Sequence, residues 1–236
     1  MLKKFLPIIF MTIIIIACTL IAGCQSTPPT PSPTPVATTQ PTPIETSQTP
    51  TASITTPPPP PVKPSFDSYV ASGYMGDVGD IHITDPYKGT AHSGTSSIQI
   101  VYDANGAGKN ICDYPPPCKW SGIYWLSPAS NWGDKAKGLD LTGYTKLTFW
   151  ARGEKGGEKA EFKVGGVKKQ QSFAYSDSIQ DPATTNVIQL SKDWEQHAID
   201  LKGKDLSHVI GGFAWVTTQS QNPDGATIYL DDIQFE

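Results

Sequence analysis

The chain has 236 residues, with 18 basic and 22 acidic side chains and a formal net charge of −4. No Lys/Arg run is longer than a pair, which excludes nucleic acid and anionic lipid as principal partners. All six tryptophans and all nine tyrosines lie after residue 64, so any folded core belongs to the C-terminal part.

Met1 to Gly23 carries Lys3 and Lys4, then an apolar run, then small residues before Cys24. This is the pattern of a secretory leader and is set aside from fold reasoning. The run Leu20-Ile21-Ala22-Gly23-Cys24 resembles the lipobox of bacterial-type lipoproteins, which implies cleavage before Cys24 and diacylglycerol on its thiol. Two acyl chains on one residue meet the requirement for stable anchoring that a single chain does not. The expected product is extracytoplasmic and held on a membrane or envelope by lipid, without spanning it. Removal of the leader leaves 16 basic against 22 acidic residues, near −6.

Residues 25–64 hold 14 prolines and 11 threonines, no aromatic residue, and only Glu45 and Lys63 as charges. Such a segment cannot bury a core and favours extended polyproline conformations. Fully extended at about 3.1 Å per residue it reaches roughly 120 Å, enough to hold a folded domain off the lipid surface. The domain boundaries are therefore a leader at 1–23, a lipidated cysteine and linker at 24–64, and a folded domain at 65–236.

Within that domain no window carries a 3.6-residue apolar stripe, whereas short alternating runs recur between Gly, Pro, Asn and Asp. The reading is an all-β sandwich. The expected strands are Ser97–Tyr102, Gly122–Leu126, Lys146–Arg152, Ala160–Val164, Val187–Leu190, Glu195–Leu201, Gly212–Thr217 and Thr227–Phe235, with one or two more before Thr84. Leu147, Phe149 and Ala151 alternate with Thr148, Trp150 and Arg152, and Phe162 and Val164 alternate with Glu161 and Lys163 across a Gly-Gly turn, the pattern of a β-hairpin. Trp150 breaks it. An indole on a polar strand face either packs under a loop or awaits a ligand.

With Cys18 in the leader and Cys24 lipidated, Cys112 and Cys118 remain. Outside the cytoplasm two such neighbours are expected as a disulfide, contributing about 2 kcal/mol across so short a loop. Its effect would be local, fixing the approach to Trp120, Tyr124 and Trp125.

Five phrases in order carry a further resemblance: Ala91-His92-Ser93-Gly94, Trp120-Ser121-Gly122-Ile123-Tyr124-Trp125, Phe149-Trp150-Ala151-Arg152, Trp194, and Tyr229-Leu230-Asp231-Asp232-Ile233. Together they resemble the galactose-binding-domain-like sandwiches used as carbohydrate-binding modules, most similar to family 11 and its relatives. The resemblance covers nearly all of Tyr69 to Glu236. It implies a jelly roll of two antiparallel sheets, a concave face for a glycan, and a structural calcium away from that face. It implies Asp80, Asp85 and Asp231 as calcium ligands, and hard oxygen donors in an acidic loop and a final strand suit Ca²⁺.

For the sugar, aromatic rings stack on a pyranose while charged and amide groups hydrogen-bond its hydroxyls. The expected glycan residues are Trp150 and Arg152 with Glu161 and Lys163, joined by Tyr124, Trp125, Asp177 and Trp215. Trp194 reads as a core residue. No GxSxG or HExxH is present, and His82, His92, His197 and His208 are scattered. Glu154, Glu158 and Glu161 lie around a Gly-rich turn, where solvent exposure is expected and an acid is not tuned for glycoside hydrolysis. The reading is a non-catalytic, membrane-anchored polysaccharide-binding lipoprotein. An adhesive envelope protein whose sandwich contacts another protein is the alternative, followed by a glycoside hydrolase or polysaccharide lyase.

Overall fold

The computed structural model describes residues 63–106, 117–136 and 138–236, so Cys24 and Cys112 lie outside the described residues. Ten strands follow in order: β1 Val70–Gly76, β2 Ile81–Tyr87, β3 Ser97–Tyr102, β4 Trp120–Leu126, β5 Lys146–Gly153, β6 Lys159–Val164, β7 Ala183–Gln189, β8 Glu195–Asp200, β9 Gly211–Thr218 and β10 Ala226–Phe235. They form two five-stranded antiparallel sheets, ordered β1-β4-β9-β6-β7 and β2-β3-β10-β5-β8, a jelly-roll sandwich as expected.

The core follows from strict alternation. Phe149 and Ala151 of β5 face Ala160, Phe162 and Val164 of β6 across the sandwich, all fully buried. The Phe149 and Phe162 rings lie 4.6 Å apart, and both meet Phe213 of β9 at 5.2 and 5.6 Å. Burying each such ring contributes about 1.5–3 kcal/mol.

That facing arrangement overturns the hairpin. β5 pairs with β10 and β8, whereas β6 pairs with β9 and β7, so the 154–158 connection passes between sheets. A period of two tells which side of each strand is buried, but two strands with one apolar side each can pair edge to edge or stack face to face. Trp150 and Arg152 consequently lie on the outer face of one sheet and Glu161 and Lys163 on the outer face of the other.

β7 begins four residues earlier than expected. Its polar start, Thr184-Thr185-Asn186, hides the alternation at a sheet edge. At the irregularity between Glu161 and Lys163 the Phe162 N–H donates to Thr185 Oγ1 at 3.1 Å, so a side chain replaces a backbone acceptor in the ladder.

His197 on β8 packs its ring 5.5 Å from Phe149, and its Nε2 is buried without a hydrogen-bond partner. Burial lowers its pKa, with Glu195 pulling the other way. A lowered imidazole pKa leaves the native state binding fewer protons than the unfolded chain. Its stability contribution is therefore complete above about pH 6.5 and declines as pH falls below that value. The melting temperature is expected to drop between pH 7.5 and 5. The drop should be smaller in His197→Gln; an unchanged slope in that variant would rule out His197 as its source.

Candidate functional site

The outer face of the β1-β4-β9-β6-β7 sheet is laid out by register. One row across it reads Gly73, Tyr124, Ala214, Lys163 and Thr184, and the next reads Met75, Gly122, Val216, Glu161 and Val187. Ala214 holds the middle of the first row, and Gly122 and Val216 that of the second, with longer side chains on either side. The result is a shallow trough walled by Tyr124 and Met75 on one flank and by Lys163 and Glu161 on the other.

Each wall is held in place. Lys163 Nζ lies 2.9 Å from Glu161 Oε2, and Thr184 Oγ1 donates to Glu161 Oε1 at 2.7 Å. Both ends of the ion pair remain about a quarter exposed at 24%, so they can still meet a ligand. Tyr124 donates its hydroxyl to Gly165 O at 2.9 Å, and burial raises its pKa, with the nearby Asp177 charge adding to the effect. With Leu126, Val167, Ile210 and Ala214 it forms a second apolar cluster outside the main core, and Met75 and Trp132 pack against it.

Two loops extend the trough. In the first, the buried Asn131 side chain accepts from Gly133 N at 3.0 Å and Lys135 N at 3.2 Å, knotting residues 131–135. This presents Trp132 edge-on to Tyr124, at 5.9 Å between centroids and 85°. In the second, Tyr175 N donates to Gly133 O at 3.0 Å, joining the loops. Gly133 has φ +102°, and a Cβ there would lie 2.3 Å from Tyr175 O, so only glycine permits this approach. Tyr175 is 40% exposed.

Asp177 anchors the second loop. Its buried carboxylate accepts N–H groups from Val167 at 2.7 Å, from Gly211 at 3.1 Å and from Ile210. Burial raises its pKa, partly offset by those three hydrogen bonds and by His208. Asp177 is thus a structural latch, and its expected contact with sugar is corrected: no carboxylate surface is left to offer. Trp125 and Trp215 are corrected likewise, since both point into the main core at 2% and 1% exposure.

Trp132 and Tyr175 escaped the sequence reading because they sit in irregular loops where alternation says nothing. For Trp132 the available signal was a large ring placed among Ser, Asn, Gly, Asp and Lys, with no apolar neighbour at strand spacing; Tyr175 follows Phe173 at that spacing and carried no such signal.

On the opposite outer face Trp150 packs under a loop. Its indole stacks on His92 at 3.6 Å and 12°, and His92 meets Trp194 edge-on at 6.1 Å. His92 Nδ1 lies 2.7 Å from Asp232 Oδ2, fixing the ring over the indole. Arg152 lies 5.4 Å over the Tyr229 ring, and Tyr229 donates its hydroxyl to Glu154 at 2.6 Å. The structure therefore separates Trp150 and Arg152 from Tyr124, Glu161 and Lys163, which share the trough.

The three aspartates expected to hold calcium do not converge. Asp80 is buried and accepts Gly106 N at 2.8 Å. Asp231 Oδ2 accepts the N–H groups of His92 at 2.8 Å and Ser93 at 3.1 Å, and its Oδ1 accepts Asp232 N at 2.8 Å. Asp85 and Asp231 line one groove of about 650 Å³, and burial raises the Asp85 pKa; Asp80 is not part of that groove. Backbone N–H groups already satisfy the Asp231 carboxylate, so this set does not fit a caged Ca²⁺. Among the described residues no three acidic, histidine or cysteine side chains are grouped to hold a metal.

Before β4, Asp77 does work expected of the disulfide. Its buried carboxylate accepts Cys118 N at 3.0 Å and Lys119 N at 2.8 Å, tying down the entry to the strand that carries Tyr124.

A family model described as carbohydrate binding domain 30 matches residues 78–236. Among solved structures, a family 30 carbohydrate-binding module shares 16% identity, covering 71% of this chain and 83% of its own, with a TM-score of 0.49. The family 30 module of a cellulosomal cellulase from Clostridium thermocellum also shares 16% identity, covering 72% and 92%, with a TM-score of 0.46. A family 11 module of another cellulosomal cellulase from the same organism shares 13% identity, covering 72% and 89%, with a TM-score of 0.44. No curated protein sequence matches the chain.

Proposed function

The chain belongs to the carbohydrate binding domain 30 family, and from that premise we propose that it is a non-catalytic polysaccharide-binding lipoprotein, displayed outside the cytoplasm on a lipid anchor at Cys24. The ligand lies along the β1-β4-β9-β6-β7 trough. Trp132 and Tyr175 stack on pyranose rings, and Glu161 and Lys163 hydrogen-bond hydroxyl groups. The observation that carries this reading is that half-buried Trp132, packed edge-on to Tyr124, and exposed Tyr175 lie on joined loops beside the sheet face that holds the partly open, mutually paired Glu161–Lys163 couple. The ion pair fixes both side chains before binding, which lowers the ordering cost. The proline-rich linker supplies reach from the membrane. A Cys112–Cys118 disulfide reinforces what Asp77 holds at the start of β4, and mass spectrometry after alkylation of the unreduced protein tests it.

Affinity electrophoresis on β-glucans, xylans, mannans and envelope polysaccharides tests the binding role. Retardation on one polymer class is expected. Trp132→Ala should weaken that binding about tenfold, close to 1.4 kcal/mol, whereas Trp150→Ala should leave it within about twofold. No retardation on any polymer, from protein with an intact circular dichroism spectrum, would shift the reading to a protein-contact role. Labelling with radioactive palmitate, present in the native chain and lost in Cys24→Ala, tests the anchor.

A further inference from the structure

The two sheets end in four edge strands, and three of these are blunted against further pairing. β7 bulges at Asn186, whose φ is +56°; β8 carries Glu195 and Asp200, and β2 carries Asp85 and Pro86. β1 has neither charge nor proline. Its one neighbour is β4, so alternate backbone N–H and C=O groups along it point outward. Val70 and Tyr74 on this strand are 49% and 40% exposed, two of the four large hydrophobic residues left exposed among the described residues. Beside β1 the sandwich opens, and the groove of about 650 Å³ lies between the β1 and β2 edges. Ala71 and Tyr74 stand in register with the buried Trp125 and Ile123, on the inward face. Ile83, Ile98 and Leu230 line the groove from the second sheet, so this mouth gives access to the side of the core.

The rim of the mouth has one sign of charge. Asp67, Asp85, Asp231 and Asp232 line it, and among the described residues no lysine, arginine or histidine does. Asp231 and Asp232 are spent on the His92 turn, and Asp67 accepts the Ser65 hydroxyl at 3.3 Å. Asp85 has no hydrogen bond or ion pair, and the burial that raises its pKa is relieved by a cation beside it. We infer that the mouth receives an extended peptide segment of another protein, which adds a strand to β1, sets apolar side chains between the sheets and brings a lysine or arginine to Asp85. Strand addition of this kind takes its affinity from main-chain hydrogen bonds and its selectivity from alternate side chains. Two other occupants fit poorly. The linker of this chain has 14 prolines in residues 25–64, and proline has no N–H for a ladder. A second copy pairing β1 with β1 would set two acidic rims face to face in a chain of net charge −4, and like charges so placed oppose association.

The test uses the full-length protein and a blocked, fluorescently labelled peptide of about eight residues, in which threonine alternates with valine and with one lysine on the valine side. Bound peptide should slow hydrogen exchange at the backbone amides of β1. Polarisation of the label reads affinity. Glutamate in place of the peptide lysine should weaken binding about tenfold or more, and so should serine in place of its valines. These two comparisons need no variant of the protein. Asp85→Asn should weaken the lysine peptide about tenfold while leaving a peptide with valine at that position within about twofold. Tyr74→Lys, which places a charge on the open edge, should remove binding of either peptide. Polysaccharide retardation should be the same in both variants as in the wild type, since neither side chain belongs to the trough. Equal affinity for the lysine and glutamate peptides, or binding without slowed exchange along β1, would overturn the assignment. So would a wild-type dimer in sedimentation that Tyr74→Lys dissociates, which would make the mouth an interface between copies. A lysine peptide that does not bind at roughly 1 mM overturns it outright.

Discussion

Phe213→Ala should lower the stability of the folded domain by about 3–5 kcal/mol, the range for removing a fully buried phenylalanine. Phe213 has no exposed surface and stands where both sheets and the N-terminal turn meet. Its ring contacts Phe66 at 6.0 Å, Trp125 at 5.5 Å, Phe149 at 5.2 Å and Phe162 at 5.6 Å. Truncation leaves a cavity walled by rigid rings from different strands, which cannot collapse into it without moving backbone. At about 2–4 °C per kcal/mol for a domain of this size, the melting temperature should fall by roughly 6–20 °C. Phe213→Leu, which fills most of the volume, should cost less than half as much. Equal losses for the two substitutions in thermal unfolding would show that cavity volume is not the governing term.

Asp177→Ala should cost on the order of 3 kcal/mol and also weaken polysaccharide binding, although the side chain reaches no ligand. Its carboxylate closes a ring of N–H donors from Val167, Ile210 and Gly211. Each buried donor left open costs about 1–3 kcal/mol, less where water enters. Asp177→Asn should fall between wild type and alanine, because one acceptor oxygen remains while the amide places its own N–H groups against a donor. The loop that carries Tyr175 is fixed at Asp177, so its release raises the ordering cost of binding. Calorimetric titration with the retarded polymer should show weaker affinity with a larger entropic penalty. A variant that loses stability but binds with unchanged affinity would show that Asp177 does not position the loop.

The change in the roles of the tryptophans has one physical source. Trp125 and Trp215 occupy inward positions on β4 and β9, and a wide sandwich accommodates large rings inside as readily as outside. Trp150 does face outward, but the His92 turn, far away in sequence, closes over it. Glu161 and Lys163 lie on the trough face by parity, since β6 alternates cleanly, whereas β4 is buried along nearly its whole length and Tyr124 takes its place on that face through its register with Gly73 and Ala214.

Local chemistry written into the sequence determined the all-β class, most strand positions and the side of each strand that is buried, because alternation and turn residues act over a few neighbours. Strand pairing was decided only in three dimensions. β5 and β6 stack through Phe149 and Phe162 rather than joining edges, since a buried apolar stripe is satisfied equally by either arrangement and long-range packing selects one. The same long-range selection covered Trp150, buried Glu158 and Asp177, and brought Trp132 beside Tyr175 through the Gly133 contact. Hydrophobic periodicity encodes inside and outside along a strand, and tertiary packing alone decides which outside becomes a site.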